Sequence, residues 1–193
     1  MKKLSTYLFL LLFSFQTSSW ADDIRDFQIE GMSIGDSLLD YYSSEDIELR
    51  VSQITNQGYK SDKFIRTNFK SGFGSKNFEI YDGIQVHFKK KDSTYKLHGL
   101  SGYFLIDKKS ECIKKQNEVI KDLSEIFTSK PKYDAWENEV GEYIDLIFSL
   151  DDGEIFIRCT IWNEEAMKKN NWTRNIRVGI LLNELLEWLK TQS

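Results

Sequence analysis

The chain has 193 residues, a formal net charge of −4 and only 2 histidines and 2 cysteines, and it is long enough to bury a core of its own. The acidic balance speaks against a nucleic-acid binder, because neutralising phosphates requires a basic face. Short lysine runs at Lys89 to Lys91, Lys108 to Lys109 and Lys168 to Lys169 fall in expected turns and read as solvating groups, not as a phosphate site.

Residues 1–21 carry the three parts of an export signal: basic Lys2 and Lys3, an apolar stretch from Tyr7 to Phe15, and Ser19-Trp20-Ala21 with the small residues that signal peptidase accepts. Cleavage after Ala21 would leave residues 22–193 as one domain and, with two lysines gone, move the net charge from −4 to −6. The apolar stretch is shorter than the roughly 20 residues a spanning helix needs, and an uncleaved anchor is the alternative. No cysteine follows the cleavage point for lipid attachment. The expected product is a soluble periplasmic or secreted protein with no membrane span after signal removal.

Residues 24 to 30 have the pattern of a strand, followed by a turn and a short helix near 36 to 42. Ser43-Ser44-Glu45-Asp46 marks the start of a second helix, from about Ser44 to Ile54: a hydroxyl cap with acids in the first turn. From Asp62 to Ile106 the chain turns β-like, with runs at 64–69, 78–81, 84–89 and 95–106 separated by Gly, Asn, Asp and Ser. Ile84-Gln85-Val86-His87-Phe88 alternates apolar and polar, which predicts an antiparallel meander with one face buried. A long helix over 109–127 follows, stopped by Ser129-Lys130-Pro131. Runs at 143–150 and 154–162 flank Asp151-Asp152-Gly153 and predict a hairpin. A polar loop from Asn163 to Thr173 leads to a last strand at 176–180 and a helix from Asn183 to Lys190. Helices kept apart from consecutive antiparallel strands indicate an α+β fold, with the long helix on one sheet face and short N- and C-terminal helices.

Cys112 lies on the apolar stripe of the long helix with Ile113, Val119, Ile120 and Leu123, and Cys159 alternates with Ile155, Ile157 and Ile161. A stripe and a strand face that both seek the core will meet, so an exported chain is expected to join them as a disulfide. The alternative is two free buried thiols.

Gly31-Met32-Ser33-Ile34-Gly35 spells G-x-S-x-G, the nucleophile-elbow pattern. Only one strand precedes Ser33, the later connections look like hairpins, and no histidine follows in the C-terminal half. Ser33 and Asp36 therefore read as turn and helix-cap residues. A two-residue turn at Asp92-Ser93 would place His87 opposite His98 for a shared metal, but no third ligand is evident. A four-residue turn from Lys90 to Ser93 would instead pair Phe88 with Tyr95 and leave the histidines solvated. The acids at Glu137 to Glu142 and Asp151-Asp152 fall in expected turns, so they read as solvating charges and not as a hydrolytic pair. Trp188 shares its helix with Leu185, Leu186 and Leu189, as a core residue would. Trp162 points away from the isoleucine face and borders the loop that carries Trp172, so these two form the candidate binding patch.

The stretches IEGMSIGDSLLDYY, SSEDI, YDGIQVHFKKKDSTYKLHGLSG, ECIKK and IRCTIWNEE, followed by IRVGI and a tryptophan-bearing C-terminal helix, resemble a family of small, uncharacterised exported proteins of marine alphaproteobacteria. That resemblance implies export and a common fold and transfers no catalytic or binding residue. The expected function is a non-enzymatic domain that binds an unknown protein or envelope ligand and needs no cofactor. The alternatives are a small secreted hydrolase using Ser33 or an acid pair, and a periplasmic metal-handling protein using His87 and His98. If the leader is clipped and the cysteines pair, intact-mass measurement of the exported chain without reductant will give a chain starting at Asp22 and lighter by two hydrogens. A full-length mass or free thiols would contradict this.

Overall fold

A computed structural model describes residues 24–56, 61–74, 76–127 and 130–192, and the expected export signal lies outside them. In chain order the strands are β1 (Gln28–Ile29), β2 (Met32–Ser33), β3 (Phe64–Lys70), β4 (Gly83–Lys89), β5 (Leu97–Leu105), β6 (Lys132–Asn138), β7 (Gly141–Leu150), β8 (Gly153–Trp162) and β9 (Asn175–Leu182). The helices are α1 (Ser44–Asn56), α2 (Lys109–Ile126), α3 (Glu164–Asn170) and α4 (Asn183–Lys190). β1 and β2 form a small hairpin, and the other strands make one seven-stranded antiparallel sheet in the order β3-β4-β5-β9-β8-β7-β6. The fold is α+β.

The sheet consists of two meanders, β3-β4-β5 and β6-β7-β8-β9, joined where β5 pairs with β9 from Gly99↔Leu181 to Leu105↔Asn175. After β5 the chain crosses one face as α2 and re-enters the sheet at its far edge as β6. The apolar alternation of the strands puts Val86, Leu100, Ile180, Ile155 and Phe148 on that same face, where they join the main core with residues of the N-terminal hairpin and α1. α2 is held there in two ways. Cys112 and Cys159 form a disulfide with Cα atoms 5.9 Å apart, and the buried Gln116 donates through Nε2 to the carbonyls of Ile144 and Ile157, both at 2.9 Å. Gln116 thus lies inside an apolar interface with both of its N–H bonds used.

Several local expectations are corrected. The strand expected at 24 to 30 is a 3-10 turn at Ile24–Asp26 followed by the short β1, because Glu30 (φ 54°) and Gly31 (φ 76°) turn the chain back at once. No strand forms at 78–81: the N–H groups of Glu79, Ile80 and Tyr81 all donate to the Glu30 carboxylate at 2.9 Å instead of to a neighbouring strand. The helix expected at 36 to 42 shrinks to a single 3-10 turn at Leu38–Asp40, capped by the Ser37 hydroxyl. Gly35 and Leu38 donate to Leu97 and Tyr95, and Leu97 donates to Asp36, so this backbone is committed to the chain entering β5.

Helix lengths also differ. α1 is not short: it runs for 13 residues from the cap Ser43, whose Oγ accepts from Asp46 N at 3.1 Å. The polar loop expected at 163 to 173 contains α3, with Asn163 accepting from Ala166 N at its start and Asn171 in the left-handed conformation at its end. β6 was not anticipated. Its burial pattern is exposed at every residue, so no periodicity announces it, and it forms through backbone pairing to β7.

The disulfide closes a loop of 47 residues, and chain entropy assigns it roughly 4 kcal/mol. The Cys112→Ala/Cys159→Ala double variant should unfold at correspondingly lower urea, with a slope no smaller, since its unfolded chain is no longer cross-linked. Equal midpoints would show that α2 is held by its packing and Gln116 alone.

Candidate functional site

Helix α2 covers one face of the sheet; among the described residues, α4 packs on the other face at one corner. There Leu185 of α4 packs over Gly99 and His87, and Trp188 lies against Phe64 at 5.4 Å with Nε1 donating to Asp62 at 3.0 Å. Trp188 is therefore a packing residue. The rest of this open face is built from the alternate members of each strand, many of them polar, with Ile147, Phe156 and Leu181 among them.

At one end of the face stands a ladder of four rings. Trp136 of β6 stacks on Tyr143 of β7, with centroids 3.8 Å apart and planes within 12°. Tyr143 meets the Trp162 ring edge-on at 5.5 Å, and Trp162 lies 4.4 Å from Trp172. Both residues of the candidate patch are thus brought into contact, and the ladder extends them by two rings. Trp136 and Trp172 are 42% and 40% exposed, which leaves a broad aromatic edge open to solvent. Arg174 fixes the base of this end: it donates to the carbonyls of Trp162 and Asp107 and to Glu164 Oε1.

One residue-pair step along the strands, a row of polar side chains crosses the sheet. Tyr103 is opposite Arg177, Arg177 is opposite Arg158, and Arg158 is opposite Asp145. The buried Asp145 takes a two-pronged bond from Arg158, at 2.8 Å from Nε and 2.5 Å from a terminal nitrogen. Burial alone would weaken Arg158's hold on its proton, but the bonds to Asp145 outweigh this and keep the guanidinium firmly charged. Arg177 has no such partner. It donates to Gln85 Oε1 at 2.7 Å and lies 5.8 Å from the Tyr103 ring centre, while its Nε is shielded from solvent and meets no acceptor. Burial, then the charges of Arg158 and Arg66, bring its pKa down to about 10.

Ser33 lies in β2, opposite Gln28, with its N–H donating to Asp36 Oδ2 at 2.8 Å. Asp36 also accepts from Tyr41 Oη at 2.6 Å. This carboxylate closes the turn, and Ser33 caps no helix; the cap is Ser37. Both histidines are on the opposite, open side of the sheet.

The histidines are buried, at 7% and 8% exposure, and not solvated. Neither expected turn is formed. His87 pairs with Gly99 and Phe88 with Leu97, and a bulge at His98 turns that side chain onto the same face. Phe88 and Tyr95 touch edge-to-face at 5.3 Å without being paired. His98 Nδ1 lies 3.6 Å from Glu184, which also binds Lys63 and Lys89. Among the described residues, no group of three His, Cys, Asp or Glu side chains could hold a metal ion. The acids expected in turns are partly strand residues: Glu137 belongs to β6, and Glu142, in β7, pairs with Lys109 at the start of α2 at 2.6 Å.

Comparison with protein-family models, curated proteins and solved structures finds no match to this chain, so the chemistry of the face itself carries the reading.

Burial, then the charges of Arg66 and Arg177, lower the His87 pKa from 6.5 to about 3, and burial lowers that of His98 as well. Between pH 6.5 and 3 the unfolded chain binds a proton that folded His87 refuses, so stability must fall as the pH falls through that window, by roughly 5 kcal/mol at most. Urea midpoints at pH 7 and pH 4 should converge in a His87→Leu variant compared with the wild-type chain. An equal loss in both would remove His87 as the acid-sensitive group.

Proposed function

We propose that this chain is an exported, non-enzymatic binding domain of the cell envelope, periplasmic or secreted, and that the open sheet face takes its partner. The observation that carries this reading is the ladder Trp136–Tyr143–Trp162–Trp172, whose two ends stand about two-fifths exposed on the side without α2. Rings held against one another lose little freedom on binding, which is why tryptophan and tyrosine dominate recognition surfaces. Tyr143 is fixed between β6 and β8 and is itself buried, so the ladder is preformed.

Other features fit the same reading. A disulfide suits an oxidising compartment, and the leader read from residues 1–21 directs export. No helix among the described residues is long and apolar enough to cross a membrane. The Ser33 form of the hydrolase alternative has little to stand on, since the segment around Ser33 is closed by its own carboxylate and the histidines are on the other face.

The test is retention of the mature protein on the sedimented envelope fraction of its own source. Trp136→Ala/Trp172→Ala should lose at least tenfold in retention, while Leu49→Ala, an exposed change on α1, should lose nothing. Undiminished retention of the double tryptophan variant would refute the assignment of this face.

A further inference from the structure

Arg177 is a charged group of the open face that the fold leaves without a counter-charge. Among the described residues no carboxylate pairs with it, in contrast to Arg158 beside it, which Asp145 neutralises. A shielded guanidinium without a counter-charge is unfavourable, and folds normally supply an acid or leave the charge in water. Here the neighbours add to the imbalance: Arg158 is the directly opposite residue, and Arg66 lies near enough to weaken Arg177's hold on its proton. The groups it does meet, the Gln85 amide oxygen and the Tyr103 ring, orient it without neutralising it.

Two glycines near Arg177 make room for aromatic neighbours. A side chain at Gly83 would run into the Tyr103 hydroxyl at 2.2 Å, and one at Gly179 into the Phe156 ring at 2.7 Å, so Tyr103 and Phe156 cover these positions. The face offers an unneutralised guanidinium beside two aromatic groups, and an aromatic ladder two strands and one pair-step away, roughly 12 Å between Cα positions of Arg177 and Tyr143.

We propose that Arg177 is the anchor of an anion site on this face, and that its ligand is a carboxylated saccharide whose carboxylate binds the guanidinium while sugar rings stack on the ladder. The inference rests on the envelope-binding reading above. A guanidinium left without a counter-charge favours a carboxylate over a neutral group, and stacked rings suit the C–H face of a sugar. Asp145 does not repel the ligand, since both of its oxygens are taken by Arg158.

The probe is trigalacturonate, compared with its fully methyl-esterified form, titrated calorimetrically into the mature protein. The acid should bind at least tenfold more tightly than the ester, and should raise the Tm of the wild-type chain. Arg177→Met should lose the acid by tenfold or more while its own Tm stays at or above the wild-type value, since it loses a charge that the fold leaves unneutralised. A variant that merely misfolds would show a lower Tm. Equal binding of acid and ester, undiminished binding by Arg177→Met, or binding of neither compound overturns the proposal. If Arg177→Met is retained normally on the envelope fraction and Trp136→Ala/Trp172→Ala is not, the binding face stands and only the anion site falls.

Discussion

The organising constraint is that a seven-stranded sheet has two faces and, among the described residues, a long helix crosses one of them. α2 must cross the core side to carry the chain from the centre of the sheet to its far edge, and the disulfide and Gln116 hold it there. With that face committed to isoleucine, valine and phenylalanine, the alternate residues of every strand point to the other side. Only a small cluster around Phe64, Trp188 and Leu185 is apolar there, and many of the others are arginine, aspartate, glutamine, serine and tryptophan, with Arg158 paired to Asp145 and Arg177 bonded to Gln85. The open face is thus a by-product of how the core is made.

The core was legible because its signals are periodic. Ile155, Ile157 and Cys159 alternate, Cys112 and Leu123 share a helical stripe, and both patterns point inward. What escaped was structure without periodicity. β6 is exposed on both faces, and pairing alone makes it a strand. The run at 78–81 looks like a strand, but its N–H groups are claimed by a carboxylate about fifty residues earlier in the chain, at Glu30. The start and stop residues of α3 were in plain view: Asn163 with two glutamates at one end, two lysines and Asn171 at the other. Its single apolar anchor, Ala166, was too slight to compete with a loop reading.

The site was half legible for a related reason. Trp162 and Trp172 flank one loop, so their contact could be inferred locally. Trp136 could not join them without β6, and Arg177 acquires its significance only when it meets Gln85, 92 residues away. The histidines show the opposite failure. Alternation placed them on the polar side, but α4 closes over that corner and buries them, and a one-residue bulge gives a register that neither simple turn would produce.

The position of β9 has its own consequence. It is the last strand in the chain yet one of the innermost in the sheet, bonded to β5 on one side and β8 on the other. Losing it would not fray a margin; it would cut the molecule into two three-stranded ribbons, β3-β4-β5 and β6-β7-β8, tied only through the α2 connection and the sulfur link. A protease that clips within Asn175–Leu182 therefore acts on the keystone of the assembly, and a chain interrupted there has no intact half to fall back on.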